Sequence, residues 1–416
     1  MTPLVRLAIA AGLLFVASFA VLPPPTSFLY SIALVATEFG YWFAIGSAIT
    51  LLFGWSGSAV ARISAVLGVT GTLLLSSSVY RAVEYQRTLP ERLNAAFGAP
   101  AAPAEFADVS RPAPVVLRDL FLGIHSRPVR YEERVYATPN GEELRIDLYH
   151  PSYPHTSIPG VIVVHSGWWQ TGDRNEHLGF NAYFAARNYV VAAIDYRLAP
   201  RHRFPTAEQD VRSAIAYLKT HATEIGLDPN RIALVGRGAG GQLALQAAYD
   251  ARDPGIRGVV AAYASVDLKK AYETEANSRL VDMRGMLEDY LGGSPEKVAD
   301  RYTAASPTTS LGPNAPPTLI IHGSNDPIVS AKQSELLDAE LGRVGVPRLL
   351  LRLPWATHAC DKNFVGPCGQ ITLYAVEHFL GTVMKEQALK KAPQSKPEKP
   401  ARRPASKPAA RASRGT

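Results

Sequence analysis

Residues 232–241 read Ile-Ala-Leu-Val-Gly-Arg-Gly-Ala-Gly-Gly, and few folds can use such a run. A short apolar strand passes directly into a turn with glycine at 236, 238, 240 and 241, and residues 241–249 then read as a helix. Glycine at these positions allows close backbone approach and conformations that other residues avoid. Two kinds of site are built this way: a phosphate cradle at a helix N-terminus, or a tight turn that lifts one side chain above the edge of a sheet. A dinucleotide fold carries its glycine fingerprint after the first strand. Here about four strand-like runs come first, so position favours the second kind.

The rest of the central region agrees. Short β-rich runs at 131–137, 144–149, 161–165, 190–195, 232–236, 259–262, 318–322 and 349–353 alternate with helical patterns at 207–221, 241–249, 331–344 and 370–384. Pro139-Asn140-Gly141 marks a hairpin between the first two runs. The others are continuous Val/Ile/Leu runs, the pattern of a parallel sheet covered on both faces. The fold class is therefore α/β, with eight strands and helices on both sides. Residues 272–310 contain no clear strand and are expected to form a helical cap.

Charge and apolar bulk are unevenly spread. Residues 1–80 carry only Arg6, Glu38 and Arg62 as charged side chains. Three apolar stretches, 7–22, 28–53 and 63–80, each approach the ~20 residues that cross a bilayer. Prolines at 23–25 close the first stretch, and no clean cleavage site precedes them. The expectation is about three transmembrane helices in an anchor of residues 1–82. Glu38 would be costly against lipid and is expected to face a neighbouring helix. An amphipathic piece (89–97) and an Ala/Pro linker occupy 83–128, the catalytic-type domain 129–386, and a Lys/Pro/Ala tail 387–416.

The formal net charge is +7, but residues 390–416 hold nine Lys/Arg against one acid, Glu398. The tail thus accounts for the basic balance and has nothing to bury, so it is expected to be disordered. The remainder is close to neutral, which suits a neutral or apolar small molecule and gives no basis for specific nucleic-acid binding. The tail would suit an anionic surface. The two cysteines, Cys360 and Cys368, are too few for a disulfide framework. A single bond between them is one reading and two free thiols the other. Neither a metal nor a cofactor is expected. Arginines are nearly balanced across the apolar stretches and give no orientation; a bond between the cysteines would need an oxidising compartment, so the expected placement of the large domain is the non-cytoplasmic face.

Four motifs carry chemistry. The turn at 236–240 resembles the Gly-x-Ser-x-Gly nucleophile elbow of the α/β-hydrolase superfamily, esterase/lipase type. Residues 161–169, Val-Ile-Val-Val-His-Ser-Gly-Trp-Trp, resemble the His-Gly-Gly-x-Trp loop of the hormone-sensitive-lipase-like, feruloyl-esterase-like and formamidase-like group, with Ser166 in place of the first glycine. Asp195-Tyr-Arg-Leu-Ala-Pro200 resembles the segment that braces this loop. Ile321-His-Gly-Ser-Asn-Asp326 and Leu353-Pro-Trp-Ala-Thr-His358 then supply an aspartate and a histidine in the superfamily's order.

The resemblance implies an α/β-hydrolase fold over about 129–385. It also implies Asp326 and His358 as catalytic partners, and Ser166, Gly167 and Ala239 around an oxyanion hole. Trp168, Trp169 and Trp355 are the candidate pocket residues. At the nucleophile position itself stands Gly238, which has no oxygen for His358 to deprotonate. The expected function is a membrane-anchored carboxylesterase- or lipase-like hydrolase for a neutral ester or amide, with covalent serine catalysis impaired. A membrane-tethered pseudoenzyme that only binds ligand is the alternative. Ser166 as a relocated nucleophile is the lesser reading, because it stands in the loop expected to donate to the oxyanion.

Overall fold

A computed structural model describes residues 1–100, 111–274 and 280–385. The expectation for the tail lies outside these residues. All eight strand-like runs form strands: β1 (Val129–Ala137), β2 (Leu144–Pro151), β3 (Ile158–Val164), β4 (Val190–Ile194), β5 (Leu227–Arg237), β6 (Ile256–Ala262), β7 (Thr318–Gly323) and β8 (Arg348–Leu353). They make one sheet in the order β1-β2-β4-β3-β5-β6-β7-β8. The β1–β2 and β2–β4 pairs are antiparallel and every later pair is parallel. Strand order reverses around β3 and β5, so their C-terminal ends open a crevice at a topological switch point, where open α/β sheets bind ligands.

Alternation along the central strands explains why both faces are covered. Ile162, Val164, Ile232 and Leu234 belong to one apolar cluster, and Val161, Val163, Ala233 and Val235 to the other. Helices Thr206–Thr220 and Ala239–Ala251 pack on the first face, Leu178–Ala185 and Pro367–Val383 on the second. The region expected to form a cap is strand-free among its described residues, with helices Met283–Leu291, Ala299–Ala304 and Pro307–Ser310.

The N-terminal region departs from three simple spans. It forms α1 (Pro3–Ser18), α2 (Ser27–Glu38), α3 (Gly40–Thr50) and α4 (Ala59–Tyr85). Among the described residues only α4 is by itself long and apolar enough to cross a bilayer; its 27 residues span about 40 Å at 1.5 Å per residue. The second apolar stretch is not one helix. It bends by 78° between α2 and α3. The bend falls where Gly40 meets α4 so closely that a Cβ would lie 2.5 Å from the Leu75 carbonyl oxygen. α1 is apolar but short of a full span. Together α1, α3 and α4 pack through small residues: Ala10 and Ala17 are buried, and Ser47 Oγ donates to the Gly68 carbonyl at 3.0 Å.

Glu38 faces a neighbouring helix, but one of the α/β domain, the first turn of Pro367–Val383. Its carboxylate accepts from the Cys368 N–H at 3.3 Å, and its carbonyl accepts from Asn363 Nδ2 at 2.7 Å. The elbow between α2 and α3 therefore rests on the α/β domain. Residues 1–384 cluster as one compact unit. The amphipathic piece forms α5 (Leu89–Phe97), and Arg92 ties it to the sheet edge by donating to the Leu350 carbonyl at 3.0 Å.

Candidate active site

The glycine-rich turn forms as the sequence pattern requires. β5 ends at Arg237, the helix Ala239–Ala251 begins two residues later, and Gly238 between them holds φ 52°, ψ −119°. A β-carbon on Gly236 would lie 2.1 Å from the Gly240 carbonyl oxygen. One on Gly240 would lie 2.2 Å from the His165 carbonyl oxygen. Glycine at both positions is what lets β5, its helix and the end of β3 converge. The convergence sets the loop after β3 directly beside Gly238.

That loop is held in an unusual shape. Gly167, Trp168 and Trp169 all have positive φ, at 107°, 60° and 61°. For the two tryptophans this costs on the order of 1–3 kcal/mol each, which the surroundings must offset. Tyr196 does part of this: its ring stacks on His165 at 4.1 Å, and its hydroxyl donates to the carbonyls of His165 and Ser166 at 3.2 and 3.1 Å. Asp195 beside it binds the Arg174 N–H and guanidinium. Arg174 also binds Asp147, and Arg197 pairs with Asp210 at 2.7 Å. The Asp-Tyr-Arg segment thus fixes the loop from below.

Of the three expected oxyanion residues, Ser166 contributes no backbone donor. Its N–H is taken by Glu176 Oε2 at 3.1 Å. The backbone donors left at the convergence are those of Gly167 and Ala239. The tryptophans also part company. Trp168 is half-buried and lies over His358, ring centroids 5.4 Å apart and nearly parallel. Trp169 is 2% exposed, stacks on Tyr290 and donates Nε1 to Gln242 at 2.9 Å, so it is a core residue that anchors the loop to the cap. Trp355, 1% exposed, packs edge-on against Tyr85 at the end of α4. Only Trp168 stands at the site.

Asp326 and His358 meet as a buried pair, His358 Nδ1 to Asp326 Oδ2 at 2.8 Å. Asp326 sits in the turn after β7. Its Oδ1 accepts from the backbone N–H groups of Ile328 and Val329, both at 2.9 Å. His322, not singled out from sequence although it lies inside the quoted motif, adds a fourth contact at 3.2 Å to Oδ2. Its Nε2 also lies 3.0 Å from the Val329 carbonyl, which can only accept, so Nε2 carries the proton and Nδ1 accepts from Ser334 Oγ at 2.6 Å. Burial alone would raise the Asp326 carboxyl, but the charge on His358 and the bonds from His322 and His358 outweigh it and hold the group well below the usual range. Asp326 is therefore a fixed anion that orients His358, leaving Nε2 for proton transfer.

A second buried ion pair links the elbow to the histidine loop. Arg237 Nε bonds Asp361 Oδ2 at 2.6 Å, and Tyr263 donates its hydroxyl to Asp361 Oδ1 at 2.8 Å. Tyr263 also meets the His358 ring edge-on at 4.7 Å. Cys360 and Cys368 are bonded to each other, closing this loop. Tyr30 reaches it from α2, its hydroxyl donating to the His358 carbonyl at 2.5 Å.

Comparison with known proteins agrees with this geometry. The BD-FAE family model matches residues 146–341. The chain is 32% identical over 251 residues to Esterase LipC of Mycobacterium tuberculosis, covering 56% of this chain and 61% of that protein. It is 29% identical over 320 residues to the probable carboxylic ester hydrolase LipM of the same organism, covering 73% and 72%. The chain thus spans less than two thirds of LipC. Among solved structures, the hyperthermophilic esterase from the archaeon Pyrobaculum calidifontis superposes with a TM-score of 0.54 at 26% identity, over 62% of this chain and 84% of that one. A bacterial heroin esterase shares the fold with a TM-score of 0.56 at 24% identity, over 62% and 85%. The eight-stranded sheet and the glycine elbow form the α/β-hydrolase fold, and the sequence relatives support an α/β hydrolase of the esterase/lipase type.

Proposed function

We propose that this chain is a membrane-anchored carboxylesterase- or lipase-like hydrolase for a neutral or apolar ester, in which the covalent route through position 238 is closed. The observation that carries the reading is the complete Asp326–His358 pair beside an elbow that keeps its strained backbone without its serine. Two oriented backbone N–H groups, at Gly167 and Ala239, fit a developing oxyanion. The kinship with proteins named esterase and carboxylic ester hydrolase supports the same class of substrate. Retention of the buried charge apparatus argues for a site that still handles a reacting carbonyl.

The anchor reading rests on α4 and on the apolar side chains exposed along α1–α4, among them Leu4, Phe15, Trp42, Ile49, Leu73 and Tyr80. A large exposed apolar surface of this kind marks a lipid or protein contact. The Cys360–Cys368 bond favours an oxidising compartment for the catalytic-type domain, hence the non-cytoplasmic face. The basic tail would then meet an anionic surface on that side.

Gly238→Ser tests the function. The added β-carbon would lie 2.5 Å from the Ser166 hydroxyl and at ordinary contact distance from its other neighbours, and that hydroxyl turns away by rotation about one bond. Loss of a serine nucleophile costs roughly 10⁶ in kcat. In a Ser166→Ala background, which removes the neighbouring hydroxyl, Gly238→Ser is therefore expected to raise hydrolysis of a short-chain nitrophenyl ester by several orders of magnitude, and adding His358→Ala should abolish the gain. A folded Gly238→Ser/Ser166→Ala protein with no gain over Ser166→Ala would mean that the rest of the site is not an ester-hydrolase site.

A further inference from the structure

The site as described has a base, an orienting anion and oxyanion donors, but no assigned reacting oxygen. Two departures from the superfamily motifs bear on this. Position 238 has glycine where the elbow carries serine, and position 166 has serine where the loop carries glycine. In three dimensions these departures meet. A β-carbon built on Gly238 falls 2.5 Å from Ser166 Oγ and 3.5 Å from Ser166 Cβ; the next neighbour, Tyr263 Cδ2, is at 4.0 Å. The hydroxyl missing from one strand end is returned, within one side chain's reach, by the adjacent one.

The backbone of Ser166 is committed on both sides: its N–H goes to Glu176, and its carbonyl accepts from Tyr196 and from His165 Nδ1 at 2.7 Å. Its hydroxyl makes no hydrogen bond among the described residues. The same loop carries Trp168 onto the His358 ring, while Tyr263 touches both that ring and the space above Gly238. The hydroxyl thus lies beside Gly238, and Trp168 and Tyr263, which flank the same turn, both contact the His358 ring. Because the Ser166 N–H is engaged elsewhere, using the side chain as nucleophile takes no donor from the oxyanion site.

We propose that Ser166 is the nucleophile of this protein, which rests on the reading of the site as an ester hydrolase. Ser166 Oγ attacks the ester carbonyl carbon as His358 Nε2 takes its proton, and the carbonyl oxygen, now negative, is held by the Gly167 and Ala239 N–H groups. The bond to the alkoxy oxygen breaks, His358 returns the proton to the departing alcohol, and the acyl group remains on Ser166. Water then attacks that acyl carbon, giving its proton to His358. The acyl–serine bond breaks, His358 reprotonates Ser166 Oγ, and a carboxylic acid leaves. Ester and water yield alcohol and acid, with no other reactant.

The full chain, purified in detergent, is incubated with a fluorophosphonate probe, and the adduct is located by peptide mass mapping. One adduct on Ser166 is expected, absent in Ser166→Ala and formed at least about 100-fold more slowly in His358→Ala. Ester turnover should fall with it in both variants. Since no fold contact uses the Ser166 hydroxyl, Ser166→Ala is expected to keep the unmodified protein's circular dichroism and melting temperature. Absence of an adduct on Ser166, an adduct elsewhere, or unchanged turnover in Ser166→Ala overturns the proposal. If the unmodified protein stays unlabelled while Gly238→Ser is labelled at position 238, the ester-hydrolase reading stands and only the Ser166 assignment falls. If neither is labelled, both fall.

Discussion

The two corners of the site have been treated differently by the sequence. At the acid–base corner every partner of Asp326 is present: two backbone N–H groups, His322 and His358. At the elbow corner the strained turn and its close-packed glycines are present, but position 238 carries no side chain. Charge networks are expensive to leave half-built, because each buried ion must keep its partners. A lost hydroxymethyl at a strained turn is the opposite case, since glycine accepts φ 52° more readily than serine. Such a site can change its nucleophile without disturbing its electrostatics.

The comparison is most sharply broken at Asp326. In the Gly238→Ser background, Asp326→Asn keeps the shape but offers His358 the wrong hydrogen-bonding partner, and kcat is expected to drop about 10⁴-fold. Steady-state kinetics on a nitrophenyl ester measures it. A drop below tenfold would show that the acid–base corner does not orient the histidine, and the contrast between the corners would disappear.

A smaller effect concerns acid stability. His177, buried beside Arg237, has its pKa pushed down to about 3, by burial first and then by the Arg237 charge. The unfolded chain, with an ordinary histidine near 6.5, binds that proton more readily. Stability is thus fully present above about pH 6.5 and is lost as pH falls toward 3, by a few kcal/mol over the interval. Urea denaturation of the wild type and His177→Gln at pH 7 and pH 4.5 should show a shallower loss in the variant. Equal slopes would place the acid sensitivity elsewhere.

What the sequence made legible follows the range of the interactions. The eight strands were readable because alternation and branched residues are local signals, and Asp326 and His358 because each closes a strand-end motif. The Arg237–Asp361 pair and the Tyr30–His358 bond join residues 124 and 328 positions apart, and no local pattern announces them. Trp169 and Trp355 lie in the core and not at the site for a related reason. A tryptophan in a site motif reads as a pocket wall, and only the packing of Tyr290 and Tyr85 against them reveals core roles. The apolar N-terminal stretches were visible, but the 78° bend depends on Gly40 meeting Leu75 across two helices.

Tyr30 offers the smallest and most discriminating break. It is one of the points where the apolar N-terminal region touches the histidine loop: Glu38 bonds Asn363 and Cys368, and the Tyr30 hydroxyl bonds the His358 carbonyl. Tyr30→Phe keeps the ring packing and leaves that carbonyl without this donor, a loss of about 1 kcal/mol. If α2 only tethers the domain, the loss appears as a small drop in melting temperature and nothing else. If α2 also positions the loop, kcat of the Gly238→Ser protein falls a few-fold with KM unchanged, because the group displaced acts on the transition state rather than on binding. The second outcome is expected, since the bond is made to the backbone of His358 itself. An unchanged kcat would assign α2 to the anchor alone and confine the active site to the α/β domain.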